Sequence, residues 1–345
     1  MLITDFDYEL PEELIAQQPL ARRENSRMLV VRRGENAFAD DNFVNFPHFF
    51  RKGDVLVLNN TKVFPARLLG EKETKAKVEL FLVRALDNQV WETLARPARR
   101  LKTGTKIFFG EKLAAEVLEK TAEGHCIVRF ESKGDFNEVL EAVGQTPLPP
   151  YIKRAGGDFN EDRERYQTVF AKQRGAIAAP TAGLHFTPEL LEEIEKTGVR
   201  IVEITLHVGY GTFEPVRARD LAEHKVMAEQ YEISDAAARI LNEAKASGRR
   251  IIAVGTTTTR ALESAARSAA DGKIPSGSRL ADLTITPGYK FKAIDGLLTN
   301  FHLPQSSLLV LVATFAGYEL IMRAYRHAVA ARYRFYSYGD CMLIL

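Results

Sequence analysis

The segment Ala178-Ala179-Pro180-Thr181-Ala182-Gly183-Leu184-His185-Phe186-Thr187 sets small residues, a proline, a glycine and one histidine in a row with no helical or strand period. It runs into Thr187-Pro188-Glu189, an N-cap, a first-turn proline and an early acid, so a helix begins there. A loop without bulky polar side chains lets another molecule approach its backbone, and the imidazole of His185 titrates near neutral pH. Taken alone, such a loop is better explained by a tight buried connection with the histidine satisfied by a carbonyl. Three similar segments follow in the same chain. Leu206-His207-Val208-Gly209-Tyr210-Gly211-Thr212-Phe213-Glu214-Pro215 offers His207 and Glu214 as acids or bases. Gly255-Thr256-Thr257-Thr258-Thr259-Arg260 opens a helix, where free N–H groups bind anions and Arg260 adds a guanidinium fork; the plainer reading is a threonine helix cap with Arg260 paired to Glu263 on the helix surface. Leu298-Thr299-Asn300-Phe301-His302-Leu303-Pro304 brings a third histidine.

Each of these three segments follows an expected strand, over residues 200–206, 250–254 and 296–299. Open α/β sheets bind ligands in the crevice outside such strand ends. Helices are expected over 188–197, 235–247, 260–270, 306–315 and 318–331, with Ser234 as a cap and Gly198 and Gly248 as stops. Alternating strands and helices define a layered α/β body with a largely parallel or mixed sheet. Near the start, a short helix is expected from Pro11 to about Gln17, then strands over 27–32 and 54–59. Residues 77–84, 89–96, 105–109, 113–119 and 125–130 read as five short strands with tight turns and no room for crossovers, hence a small barrel or sandwich. A helix over 136–143 and the stiff connector Thr146-Pro147-Leu148-Pro149-Pro150-Tyr151 lead back into the body. The expected organisation is a discontinuous α/β body, residues 1–66 and 147–345, with an all-β domain inserted at 67–146.

Composition limits the alternatives. A chain of 345 residues with 46% hydrophobic and 27% charged residues is an ordinary globular protein of about two domains. The two cysteines, Cys126 and Cys341, suit a reducing compartment. The acidic opening Met1-Leu2-Ile3-Thr4-Asp5-Phe6-Asp7 does not read as a signal peptide, and no apolar run approaches the ~20 residues of a membrane span. These bounds fit a cytoplasmic protein. The sequence has no P-loop, no G-x-G-x-x-G turn, no zinc spacing and no nucleophile elbow.

Two clusters suit RNA. Arg96-Pro97-Ala98-Arg99-Arg100-Leu101-Lys102 puts four cations at the exit of a barrel strand, a phosphate-positioning patch. Tyr333-Arg334-Phe335-Tyr336-Ser337-Tyr338 interleaves rings with Arg334, as base stacking requires, although such rings more often pack in a core.

Together with Gly53-Asp54-Val55-Leu56-Val57-Leu58-Asn59-Asn60-Thr61-Lys62-Val63-Phe64-Pro65-Ala66-Arg67, Tyr166-Gln167-Thr168-Val169-Phe170 and Pro287-Gly288-Tyr289, these segments resemble the S-adenosylmethionine:tRNA ribosyltransferase-isomerases over nearly the whole chain. The resemblance implies an α/β body with an inserted β-barrel. It also implies movement of the ribosyl part of S-adenosylmethionine onto an aminomethyl-deazaguanine at the wobble position of a tRNA with a GUN-type anticodon. Epoxyqueuosine, adenine and methionine would be the products. S-Adenosylmethionine is then the co-substrate and supplies its own activation, so neither a metal nor another cofactor is implied. One departure stands out: where the family pattern has His-Lys-Met-His-Ala-Glu, this chain has His224-Lys225-Val226-Met227-Ala228-Glu229.

For that reaction, His185 or Glu214 is the candidate base, with His302 and His207 as acids or positioning groups. Thr256, Thr257 and Arg260 are candidates to hold the methionine carboxylate or the ribose. Asn59, Asn60, Thr61 and Arg67 would add polar contacts near the domain junction, and Arg96, Arg99, Arg100, Lys102 and Arg334 would meet the tRNA. No coiled-coil or long amphipathic segment asks for a partner, so a monomer is expected. A non-catalytic RNA-binding protein would leave the four polar loops unexplained. A methyltransferase would lack its Gly-rich turn.

Overall fold

The computed structural model describes residues 1–154, 160–213, 216, 218–269 and 271–345, with backbone alone at 100, 160, 212 and 213. Nine strands form a mixed sheet in the order Gly277–Ala281, Glu229–Ile233, Arg200–Leu206, Val55–Asn59, Ile251–Val254, Gly296–Asn300, Cys341–Ile344, Arg27–Arg32, Ala37–Asn42. The four from Arg200–Leu206 to Gly296–Asn300 run parallel, and their C-terminal ends share one edge. Val55–Asn59, Ile251–Val254 and Gly296–Asn300 are buried at every position, as parallel strands covered on both faces must be. Alternation along these strands sends Val55, Val57, Ile251 and Ala253 into one core and Leu56, Leu58, Ile252 and Val254 into the other.

The helices follow their local signals. Thr187 and Ser234 cap Pro188–Lys196 and Asp235–Ala246 through side-chain bonds to backbone N–H groups. The helix expected from Arg260 begins a turn earlier, at Thr256, because Gly255 with φ 91° turns the chain directly out of its strand. The helix expected from Pro11 shrinks to one 3-10 turn, Glu12–Leu14. Beyond it the chain is extended, Leu14 and Ala16 pairing with the backbone of Phe335, and that pairing excludes further helical bonds.

The all-β region is a closed barrel of six antiparallel strands, one more than the five expected: Arg67–Lys72 pairs with both Lys77–Asp87 and Lys106–Phe109. Helix Phe136–Val143 packs Val139 and Leu140 into the barrel core. The barrel joins the body beside a two-stranded parallel ladder of Thr61–Val63 and Gln173–Ala176. Among the described residues no single helix is long and apolar enough to cross a membrane. Ser307–Ala316 and Tyr318–Ala330 would pass only as a pair bent by 119°, and their apolar residues belong to the core.

Candidate active site

At the shared edge of the parallel strands lies a cavity of about 450 Å³. Its walls are residues 178–182 from the first small-residue loop, 255–257 at the helix start, 299–308 after the strand Gly296–Asn300, and the rings of Tyr151, Tyr166 and Tyr336. Three of the four segments expected to form a site therefore meet at one place, Val208 adds the fourth, and Val216 lines the cavity just beyond it. Among the described residues none of the lining side chains is an Asp, Glu, Lys or Arg.

His302 is the histidine that lines this cavity. Its Nε2 meets the Thr299 hydroxyl at 2.8 Å, its backbone N–H donates to Tyr325, and its carbonyl accepts from Tyr8. No hydrogen-bond partner for Nδ1 is found among the described residues. Burial pushes the imidazole pKa down to about 3, so the ring is neutral at physiological pH. A neutral ring carries one N–H and one lone pair, so His302 starts a reaction as a hydrogen-bond donor or proton acceptor and not as an imidazolium acid.

His185 sits behind the wall, 3% exposed, in the 3-10 turn Thr181–His185. Its two ring nitrogens meet Ser26 Oγ at 2.8 Å and Asn300 Oδ1 at 3.0 Å. Burial lowers its pKa to about 4. Asn300, which does line the cavity, is thereby locked between His185 and the carbonyls of Tyr336 and Ser337.

At the helix start, Thr256 and Thr257 reach the cavity, and the Thr257 hydroxyl is buried with no partner among the described residues. The N–H of Thr259 bonds back to Gly255, which leaves the preceding N–H groups in the first turn free, as at any helix start. Arg260 points elsewhere, and this corrects both readings of its sequence position. It neither faces this cavity nor pairs with Glu263. Its guanidinium is buried against Glu229 at 2.7 Å and donates to the carbonyls of Met227, Ala281 and Leu283. Glu229 also accepts from the Gly209 N–H, so the pair ties the helix to the Gly209–Gly211 turn. Glu263 instead receives Tyr289 and three backbone N–H groups.

His207, Asn59, Asn60 and Thr61 form a second group beside the cavity. Asn59 bonds both the N–H and the carbonyl of Leu206, clamping two neighbouring strand ends. Asn60 joins Thr205 and Glu203. Thr61 meets His207 Nδ1 at 2.8 Å, and the ring lies against Gly175, where an added Cβ would stand 2.6 Å from it. Arg67 pairs with Glu79 inside the barrel wall at 2.9 Å. Glu214 lies outside the described residues.

Of the RNA candidates, Arg96, Arg99 and Lys102 are exposed on the barrel, and the Arg100 side chain lies outside the described residues. Arg334 is half-buried and donates to the carbonyl of Gln18, with burial lowering its pKa. The aromatic run around it divides: Tyr333, Phe335 and Tyr338 enter the core, whereas Tyr336 lines the cavity. Tyr151, Tyr166 and Ser337 are site residues that the sequence reading did not single out. The only available signal was the uneven company of Tyr336, a ring next to a serine in a run too polar for a strand.

A cavity at the C-terminal edge of parallel strands, assembled from four loops and carrying one half-buried neutral histidine, is the design of an α/β enzyme. The chain belongs to the queuosine biosynthesis protein family, whose model matches residues 3–344. It is 52% identical over the full length of both chains to the S-adenosylmethionine:tRNA ribosyltransferase-isomerase of Pelotomaculum thermopropionicum. It is 51% identical, again end to end, to the enzyme of the same name from Syntrophotalea carbinolica. The crystal structure of the S-adenosylmethionine tRNA ribosyltransferase of Thermotoga maritima matches 99% of this chain and 100% of its own, at 37% identity and a TM-score of 0.56.

Proposed function

We propose that this protein transfers and isomerises the ribosyl moiety of S-adenosylmethionine onto 7-aminomethyl-7-deazaguanine at the wobble position of a tRNA. The product is epoxyqueuosine in the tRNA, with adenine and methionine released. The observation that carries the reading is the cavity: about 450 Å³, at the strand ends, within the ~300–1,000 Å³ that small-molecule sites occupy. Full-length identity of 52% to an enzyme of that name supplies the reaction.

The positive sulfur acidifies the adjoining ribose carbon, so the chemistry begins with a base taking a proton there. Adenine departure, attack by the aminomethyl nitrogen and ring reorganisation follow. His302 is the described side chain placed to accept a proton in the cavity, and Glu214 is the second candidate. His185 acts as a positioning residue through Asn300, and His207 through Thr61. Thr256 and Thr257, with the free N–H groups of the helix start, suit the methionine carboxylate or ribose hydroxyls. Arg260 supports them from behind by holding the helix to the Gly209–Gly211 turn.

The barrel, taken as a unit over 67–146, presents Arg96, Arg99 and Lys102 to the phosphates of a tRNA with a GUN-type anticodon. The protein works as a cytoplasmic monomer on this reading. The test combines purified protein, S-adenosylmethionine and tRNA bearing the aminomethyl-deazaguanine. Released adenine together with a nucleoside mass gain of the cyclopentanediol unit is expected. A methyl mass gain, or tRNA binding without adenine release, would overturn the proposal.

A further inference from the structure

We propose that Tyr151 and Tyr336 form an aromatic corner that recognises the sulfonium charge of the co-substrate. The inference rests on the reading that this cavity holds S-adenosylmethionine. A sulfonium entering the cavity leaves its hydration behind, and among the described residues the walls offer it no carboxylate. What they offer is ring faces, which attract onium ions through the aromatic quadrupole.

The two rings are arranged unlike a core pair. Their centroids lie 3.9 Å apart with planes inclined by 56°, so they make an angle and not a stack. Both line the cavity and both are only partly buried. Burial raises the pKa of each phenol, so both rings stay uncharged over the working range.

The backbone of Tyr336 shows that this placement is held against a local preference. With φ 74° it occupies the left-handed region, which a bulky residue rarely adopts without a constraint from its surroundings. The constraints are visible. Its N–H donates to the Phe301 carbonyl at 3.1 Å, and its own carbonyl accepts from Asn300 Nδ2 at 2.9 Å. Tyr151 is pinned to the same turn, its hydroxyl 2.5 Å from Ser337 Oγ. The neighbouring aromatics Tyr333, Phe335 and Tyr338 satisfy the core, so core packing does not require Tyr336 to turn outward. The His185–Asn300 bond thus acquires a purpose: it fixes the side-chain amide whose Nδ2 donates to the Tyr336 carbonyl.

The test compares two dead-end inhibitors of the complete enzyme, assayed with its tRNA substrate. S-Adenosylhomocysteine has a neutral thioether, and sinefungin has a protonated amine at the sulfonium position. The wild-type enzyme is expected to prefer the cation by about tenfold, which is ~1.4 kcal/mol. Tyr336→Leu and Tyr151→Leu should each cut that preference to about twofold, whereas Tyr336→Phe and Tyr151→Phe keep it. The ratio is its own control, since general damage to the site weakens both inhibitors alike. Equal weakening of both in the Leu variants would assign the rings to stacking on a base and overturn the proposal. A Ser307→Trp variant separates the two levels of inference, because Ser307 lines the cavity. If it leaves both inhibition constants unchanged, the co-substrate does not occupy this cavity, and the corner falls with that reading.

Discussion

Nε2 of His185 stands 3.0 Å from Oδ1 of Asn300, and the histidine must be the donor, because the Asn300 amide hydrogens go to the carbonyls of Tyr336 and Ser337. The other ring nitrogen then accepts from Ser26, whose single proton turns from the Arg23 carbonyl towards it. The opposite assignment would bury an imidazolium, which desolvation opposes. His185→Ala should therefore lower stability by about 2–3 kcal/mol and reduce turnover without changing the shape of the pH–rate profile. Urea unfolding and a pH series on the variant check both parts.

The same histidine makes stability depend on pH. Its folded pKa is about 4 against 6.5 for an ordinary imidazole, so between those values the unfolded chain binds a proton that the folded chain refuses. Its contribution is complete above about pH 6.5 and is lost as pH falls towards 4. His185→Gln should flatten the stability curve across that window; an unchanged curve would mean that His185 does not titrate with folding.

His302→Ala should lower kcat by ~10² or more with little change in KM for S-adenosylmethionine, the loss expected for a group acting on a proton in the transition state. Because burial holds its pKa near 3, wild-type activity should show no acid limb at pH 6.5 from this ring. A limb at 6.5 that disappears in His302→Gln would show that its free-enzyme environment differs from the one described.

Arg260→Ala removes the guanidinium paired with the buried Glu229 carboxylate, with an expected cost of about 3–5 kcal/mol. Pairing Arg260→Met with Glu229→Gln removes both charges of the pair and should recover part of that loss. Thermal unfolding of the single and double variants measures the coupling directly. If Arg260→Ala unfolded like the wild type while KM rose, the guanidinium would be a ligand group after all.

Met227 is 53% exposed, and its sulfur lies over Gly211, where an added Cβ would stand 2.9 Å from it. The position takes no part in the cavity wall. Met227→His should change stability by no more than ~0.5 kcal/mol and leave turnover near that of the wild type. A large gain in turnover would instead mark this chain as impaired by the histidine it lacks.

Replacing Arg96, Arg99 and Lys102 by Ala should raise KM for tRNA and leave kcat nearly constant. Each lost phosphate contact should also reduce the slope of binding against log salt by about 0.7–0.9. An unaltered slope would move the tRNA off this face of the barrel.

Much of this protein is written locally. Thr187-Pro188-Glu189 and Ser234 mark helix starts because a cap needs only neighbouring residues. The apolar runs expected over 54–59, 250–254 and 296–299 are strands, and of the loop segments picked out in the sequence, 178–182, 255–257 and 299–304 line the cavity; residues 305–308 join it from the start of the following helix. Long-range pairing was not legible. The sixth barrel strand, Arg67–Lys72, depends on partners at 77–81 and 107–108, and the extended segment after Leu14 depends on Phe335. Nor could the sequence divide the histidines. His185 and His302 carry the same imidazole in similar loops, and only the fold sets one behind Asn300 and the other in the cavity. Arg260 met a carboxylate 31 residues away in preference to one three residues away, because burial of both charges makes their pairing obligatory. Tyr336 was pulled out of its aromatic run by bonds from Asn300 and Phe301. Local sequence determines which conformations a segment favours. Which side chains share a dry, enclosed space is decided by contacts between segments far apart in the chain.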